Sequence, residues 1–426
     1  MITILLVSVF IIGYAAIAFE HSIHVNKAAS ALITGVLCWV IYFMSGHSGD
    51  EGMSHLSHHL GEISGIIFFL LGAMTIVELV DTHGGFEVLT NKINTKNQLK
   101  LAWIIGIITF FLSAVLDNLT TAIVMVSLLK KLIRTKEERL LMVGIVVIAA
   151  NAGGAWSPIG DVTTAMLWIK NLISSGGVIY KVFLPSVVCL VVPMLLLRNK
   201  LKGEIHAPDR STNESDFILK ENEKKIFFYA GIFALLFVPL FKTITHLPPY
   251  MGMLFSLGLM WLLSELIHKG KPDKLKENLS VIHALKKIDT SSILFFLGIL
   301  LAISALQSAG ELTKLANFMD NTIGNQTIII VAIGLLSAIV DNVPLVAAAI
   351  GMYDITVFAP DHNFWHFLAY CAGTGGSALI IGSAAGVAAM GMDNIDFMWY
   401  FKNISLYALL GYLAGAAVFV LQNGMI

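Results

Sequence analysis

Apolar stretches long enough to cross a lipid bilayer recur from one end of this chain to the other, and that pattern leaves few folds open. A helical span needs about 20 apolar residues. Windows of that kind lie at 1–19, 28–45, 62–80, 181–198, 226–242, 249–268, 290–307 and 402–422. Hydrophobic residues fill 57% of the 426 positions and charged residues 13%, a balance that no water-soluble domain requires. Backbone polar groups inside a bilayer must pair within the chain, so the expected fold is an all-α polytopic membrane protein. A net charge of −1 gives no basis for nucleic-acid binding. Cys38, Cys189 and Cys371 lie far apart in apolar runs and read as small buried hydrophobes. The first window lacks a basic leader and reads as a retained helix.

Two further apolar stretches, 101–133 and 327–352, are each interrupted by an Asp-Asn pair. The first reads Ser113-Ala114-Val115-Leu116-Asp117-Asn118 and the second Ser337-Ala338-Ile339-Val340-Asp341-Asn342. Ionisable groups at membrane depth are expensive and mark ion or proton paths. Two more stretches, 140–170 and 364–391, are interrupted by glycine. One contains Asn151-Ala152-Gly153-Gly154-Ala155-Trp156-Ser157-Pro158-Ile159-Gly160-Asp161, the other Gly373-Thr374-Gly375-Gly376-Ser377-Ala378-Leu379-Ile380-Ile381-Gly382-Ser383. Both halves thus carry Gly-Gly and then Gly six residues after the second glycine.

Helix breaks at Gly153, Gly154, Pro158 and Gly160, and at Gly375, Gly376 and Gly382, free backbone oxygens beside the Asp-Asn tips. A small hard cation such as Na+ takes oxygen ligands. The expected cages are Asp117 and Asn118 with groups near Asn151 and Ser157, and Asp341 and Asn342 with groups near Thr374 and Ser377. Asp161, with Thr163 and Thr164, is a second-tier candidate, read evenly as a proton-path group or as the cap of the restarted helix. Glu62, Glu78, Asp81 and His83 flank the third window, and Glu78 reads as interfacial. His47, His55, His58 and His59 are expected in a solvated loop, with a pH-sensing role as the minor alternative.

If each Asp-Asn segment is a re-entrant hairpin, all of the 27 basic residues except Lys170, Lys181, Lys242 and Lys314 fall on one face. The positive-inside rule makes that face cytoplasmic. Both termini then lie on the outer side, and the two halves are inverted. The expected organisation is N-terminal scaffold helices at 1–67, a first inverted repeat at 68–198, a polar linker at 199–224, further scaffold helices at 225–289 and a second repeat at 290–426. Each repeat holds one hairpin and one broken helix of a transport domain.

At these motifs the chain resembles the ion transporter superfamily of arsenite exporters, dicarboxylate–sodium carriers and sodium/proton antiporters. Within it, the chain is most similar to NhaD-type sodium/proton antiporters. The resemblance rests on Thr75-Ile76-Val77-Glu78-Leu79-Val80-Asp81-Thr82-His83-Gly84-Gly85-Phe86, on Leu116-Asp117-Asn118-Leu119-Thr120-Thr121-Ala122, on Asn151 to Thr164 and on Asp341-Asn342-Val343-Pro344. It implies an inverted-repeat fold with scaffold and transport domains, a homodimer, and exchange of Na+ or Li+ for H+ across a bacterial inner membrane. Dicarboxylate carriers read Ser-Asn-Thr at the hairpin tips. Asp-Asn-Leu and Asp-Asn-Val stand here, and a bare carboxylate repels an organic anion.

Asp117 and Asp341 are therefore expected to bind either a proton or a sodium ion, since a desolvated carboxylate favours whichever cation neutralises it. No cofactor is implied beyond the transported ions. The alternative within the superfamily is an arsenite or other anion exporter. An intramembrane aspartyl protease is disfavoured because no Tyr-Asp pair lies in an apolar span, so the chain is not read as an enzyme. A channel would lack steep coupling of Na+ flux to pH. D117N and D341N proteins are expected to insert normally yet lose Na+-driven proton movement in everted vesicles, read by dequenching of a pH-gradient dye.

Overall fold

The computed structural model describes residues 2–425 apart from 19, 47–48, 91–94, 96, 205–219 and 354. The middle of the polar linker and His47 lie outside the described residues. Those described form helices and turns, with no strand among them. Nine of these helices are long and apolar enough to cross a membrane: Lys27–Met44, Asp50–Thr82, Gln98–Leu116, Lys136–Ala155, Ser175–Leu197, Glu221–Thr245, Pro249–His268, Thr290–Ser308 and Phe397–Asn423. Many large apolar side chains, such as Ile12, Phe233, Leu262 and Leu421, face outward, as lipid-facing surfaces require.

One group of helices is organised by two glycines. Helix Lys27–Met44 runs parallel to Thr290–Ser308, tied by Ser291 Oγ to Asn26 Oδ1 (2.9 Å) at one end and Trp39 Nε1 to the Leu301 carbonyl (3.0 Å) near the other. Between these ties Gly35 meets Gly298, and a Cβ on Gly298 would lie 2.5 Å from the Ala31 carbonyl carbon. Small residues at such a crossing let backbones approach where no hydrophobic drive separates helix from lipid. Helix Asp50–Thr82 packs on Thr290–Ser308, Pro249–His268 and Glu221–Thr245.

That 33-residue helix corrects two expectations. His55, His58 and His59 lie on it rather than in a loop, because Asp50 and Glu51 sit in its first turn and favour the helix dipole, while Tyr42 Oη bonds His55 Nδ1 at 2.8 Å. The expected boundary at 67/68 falls inside the same helix.

The second group contains the two interrupted segments of each half. Helix Gln98–Leu116 lies along Lys136–Ala155 in the same direction, with Gly106 against Ile145 and Ser113 Oγ donating to the Ala150 carbonyl (2.6 Å). Helix Asn118–Leu132 returns the other way. Lys130 near its end bonds the Met392 carbonyl, and Arg139, near the start of Lys136–Ala155, pairs with Asp393 at 2.8 Å. The two arms around Asp117 therefore enter and leave at one end of the molecule.

The chain Lys136–Ala155, 156–161, Val162–Ile169 runs from the Asp393 end towards Leu172 and Ser174. There Asp361 N–H donates to the Leu172 carbonyl and Ser174 N–H to Asp361 Oδ1. Helix Asn363–Gly375 starts at this point, breaks through 3-10 turns at 376–382 and ends with Ala384–Asp393. The two broken spans thus run in opposite directions.

Their local contacts match. Ser337 Oγ donates to the Ala372 carbonyl (3.0 Å) as Ser113 does to Ala150. Gly375 abuts Gly334 as Gly153 abuts Phe110, and Gly376 abuts Gly382 as Gly154 abuts Gly160. These contacts also correct the expected break points. Gly153, Gly154 and Gly375 lie in the last turn of intact helices, where lack of a side chain admits the neighbouring backbone; unwinding comes after them, around Pro158 and Gly160 and from Gly376 to Gly382. Replacing Gly298 by valine is expected to force the Lys27–Met44 crossing apart, at about 1–3 kcal/mol of overpacking, and to lower the melting temperature of the detergent-purified protein.

Candidate functional site

Four helix starts meet where the spans are broken, and each begins with a side chain that caps it. Asp117 caps Asn118–Leu132, its Oδ1 accepting from Thr120 N–H and its Oδ2 from Thr120 Oγ1, both at 2.8 Å. Asp341 caps Asn342–Met352 through Val343 N–H at 3.4 Å. Asp161 and Ser383 cap the two restarted helices, through Thr163 N–H (2.8 Å) and Gly386 N–H (3.1 Å). A helix N-terminus exposes unpaired N–H groups, so an oxygen-bearing residue belongs at each. Asp117 holds φ at +89°, a left-handed conformation costly for a residue with a Cβ.

The asparagines after the caps converge on Asp161, which is 2% exposed. Asn118 Nδ2 donates to Asp161 Oδ2 at 2.7 Å and to Asn151 Oδ1 at 3.1 Å. Asn342 Nδ2 reaches the same carboxylate from the other hairpin, 3.3 Å from Oδ2 and 3.4 Å from Oδ1. Asn151 Nδ2 donates at 2.9 Å to both Ser377 Oγ and Ser383 Oγ in the opposite break. One carboxylate and one amide therefore link both hairpin tips to both broken spans. Thr163 Oγ1 adds a bond to Asp161 Oδ1 at 2.8 Å, and Thr164 Oγ1 bonds the Asp161 carbonyl at 2.9 Å.

The remaining expected residues divide. Asp117 and Asp341 flank the centre, each one residue before the asparagine that reaches Asp161. Ser157 is buried within the first break, its Oγ accepting from Ile159 N–H at 3.4 Å. Thr374 Oγ1 bonds back to the Tyr370 carbonyl of its own helix at 2.6 Å and does not turn to the centre. Instead of two separate cages, the asparagines share Asp161, because the oppositely directed spans bring both hairpin tips to the same break. Asp161 does cap its helix, yet only Oδ1 is engaged there, and the carboxylate keeps Oδ2 for the asparagines.

Two residues escaped the sequence reading. Ser383 stood there only as the last residue of the second glycine-broken string. Lys27, assigned only to a basic face, places Nζ 3.4 Å from Asp341 Oδ2. Its partner lies 314 positions away, and no local pattern signals it.

Carboxylate, amide and hydroxyl oxygens held together out of water form a donor set for a hard cation. The buried Asp161 carboxylate is met by two amides and a hydroxyl rather than by a cationic side chain, and buried negative charge is stable only when neutralised. Broken helices that start oppositely directed segments around such a cluster define a polytopic membrane carrier.

The chain belongs to the citrate transporter family (CitMHS), which matches residues 14–365. It is 50% identical to "Sodium/proton antiporter 1" of Arabidopsis thaliana, over 98% of this chain and 72% of that protein. It is 48% identical to "Sodium/proton antiporter 2" of the same plant, over 96% and 97%. It is 29% identical to "Na(+)/H(+) antiporter NhaD" of Vibrio cholerae, over 97% and 91%. The likeness to NhaD-type antiporters drawn from the motifs therefore holds along nearly the whole chain. The crystal structure of the YdaH transporter of Alcanivorax borkumensis shares the fold, with a TM-score of 0.57 at 11% identity, covering 89% of this chain and 90% of that one.

Truncating Asn151 to alanine would remove the donor shared by Ser377 and Ser383 and one acceptor of Asn118. The expected loss is about 1–3 kcal/mol for the buried groups left unpaired, read as a lower thermal midpoint in detergent.

Proposed function

We propose that this protein exchanges Na+ or Li+ for H+ across a membrane by alternating access, with the Asp161 cluster as the shared ion site. The observation that carries the reading is the convergence of Asn118 and Asn342, one from each hairpin, on the buried Asp161 carboxylate. A cation entering the cluster would take Asp161 Oδ2, the amide oxygens of the two asparagines and the hydroxyls of Ser377 and Ser383. Asp117 and Asp341 would complete the negative field. A proton on the same carboxylates removes the charge that holds the cation. Competition for one site then couples the two fluxes without a separate gate.

The sodium/proton antiporter names of relatives at 50% and 48% identity support this reading. The family's name points to citrate, but a site built on the Asp161 carboxylate repels a tricarboxylate, and export of other anions is disfavoured for the same reason. No covalent chemistry is assigned. The broken spans and their hairpins would move together against the scaffold, in the manner of inverted-repeat carriers. The face bearing Arg139, Lys130 and Lys136 would be cytoplasmic. We extend the reading to a homodimer in the membrane, tested by the mass of the purified complex in light scattering.

D161N keeps the helix cap, since an amide oxygen still accepts from Thr163 N–H, but removes the charge. It is expected to reach the membrane normally and to lose Na+- and Li+-driven proton movement in everted vesicles. Full activity in D161N, or wild-type vesicles in which only anions dissipate the pH gradient, would overturn the proposal.

A further inference from the structure

The ion pair between Lys27 and Asp341 joins parts of the molecule that the carrier mechanism must separate. Lys27 opens helix Lys27–Met44 in the scaffold, and that helix is locked to Thr290–Ser308 by the Gly35–Gly298 crossing. Asp341 stands at the tip between helices Gln326–Leu336 and Asn342–Met352. The Nζ–Oδ2 distance is 3.4 Å, and the two side chains are 25% and 19% exposed. The ammonium also lies 4.5 Å from the centre of the Phe295 ring. An aromatic face favours a cation and supplies no proton acceptor. Asp341 gives its other oxygen to Val343 N–H, so Lys27 occupies the oxygen that remains for a cation.

We propose that Lys27 is a tethered occupant of the cation site, a scaffold ammonium that neutralises Asp341 when no ion is bound and must withdraw before sodium can reach that carboxylate. The idea rests on the antiport reading given above. A lysine ammonium and a sodium ion carry the same charge and seek the same oxygens, so the two compete directly. The pair also holds the second hairpin tip to the scaffold. Filling the site with sodium or a proton releases the tip, while the empty site keeps it fastened. Such a latch would oppose movement of the empty transport domain and so limit uncoupled leak.

Among the described residues, the charged and titratable groups with contacts near Lys27 or Asp341 are these. Glu20 accepts from the Lys27 backbone N–H at 3.1 Å. Tyr14, on the preceding helix, lies in the field of Asp341. Asp289 caps the neighbouring Thr290–Ser308 helix beside the Asn26–Ser291 contact. Asp161 stands beyond Asp341. None of these supplies a second cation to Asp341.

The test compares wild type, K27Q, K27M and K27R in everted vesicles across a pH series, recording the apparent KM for Na+, the maximal rate and proton leak without Na+. Removing the competitor in K27Q is expected to lower the KM at alkaline pH by about tenfold, ~1.4 kcal/mol. It should also move the proton-inhibited limb towards higher pH and raise the Na+-independent leak. K27R keeps the charge and is expected to stay near wild type. If K27Q fails to insert, K27M gives the same reading with its stem against Phe295. An unchanged KM and pH limb in both K27Q and K27M, with only the maximal rate reduced, would overturn the proposal and assign Lys27 a structural role. Wild-type vesicles without Na+-dependent proton movement would instead overturn the antiport reading itself.

Discussion

The buried carboxylate of Asp161 is the constraint on which the packing of the two hairpins and the two broken spans depends. A charge at membrane depth needs partners from every direction, and Asn118, Asn342 and Thr163 supply them from three separate segments. Those segments can meet only if both hairpin tips and both breaks lie at the same level. The glycines that let the backbones touch, Gly153 against Phe110 and Gly375 against Gly334, follow from that demand. So do the four capping residues, because every interrupted helix leaves N–H groups that bilayer lipid cannot satisfy.

The two halves share their contacts but not their chemistry. Ser113 and Ser337 bond matching carbonyls, and matched glycine pairs close both breaks. At the equivalent capping position, however, one half carries Asp161 and the other Ser383. Asp117 adopts a left-handed backbone while Asp341, at φ −49°, does not. Asp341 meets a scaffold lysine, whereas Asp117 bonds within its own helix. The two halves thus differ at the groups that meet around Asp161.

Much of the transport region was legible in the chain itself. The Asp-Asn pairs stood out because charge inside an apolar run is costly, and the Gly-Gly spacing stood out because it occurs in both halves. Asn118, Asn342, Asn151 and Ser377 could be nominated on those grounds. The relative weight of the aspartates was not legible. Asp161 looked as much like a helix cap as a proton-path group, and it does cap its helix, so local sequence could not separate the roles. Thr374 was nominated by proximity, but its hydroxyl satisfies a carbonyl one turn back. The histidines at 55, 58 and 59 looked like loop residues because polar composition hides a helix that continues beyond its apolar part.

By itself, the sequence determined the solvent of this protein, the helical nature of its spans and the places where they are interrupted, because hydropathy and backbone breaking act within a few residues of their cause. Tertiary structure decided which of three carboxylates became the common centre, that the two hairpins share it, and that Lys27 reaches Asp341. Each of those outcomes joins positions tens to hundreds of residues apart. Electrostatic interaction depends on distance through space, and only the antiparallel course of the two broken spans sets that distance.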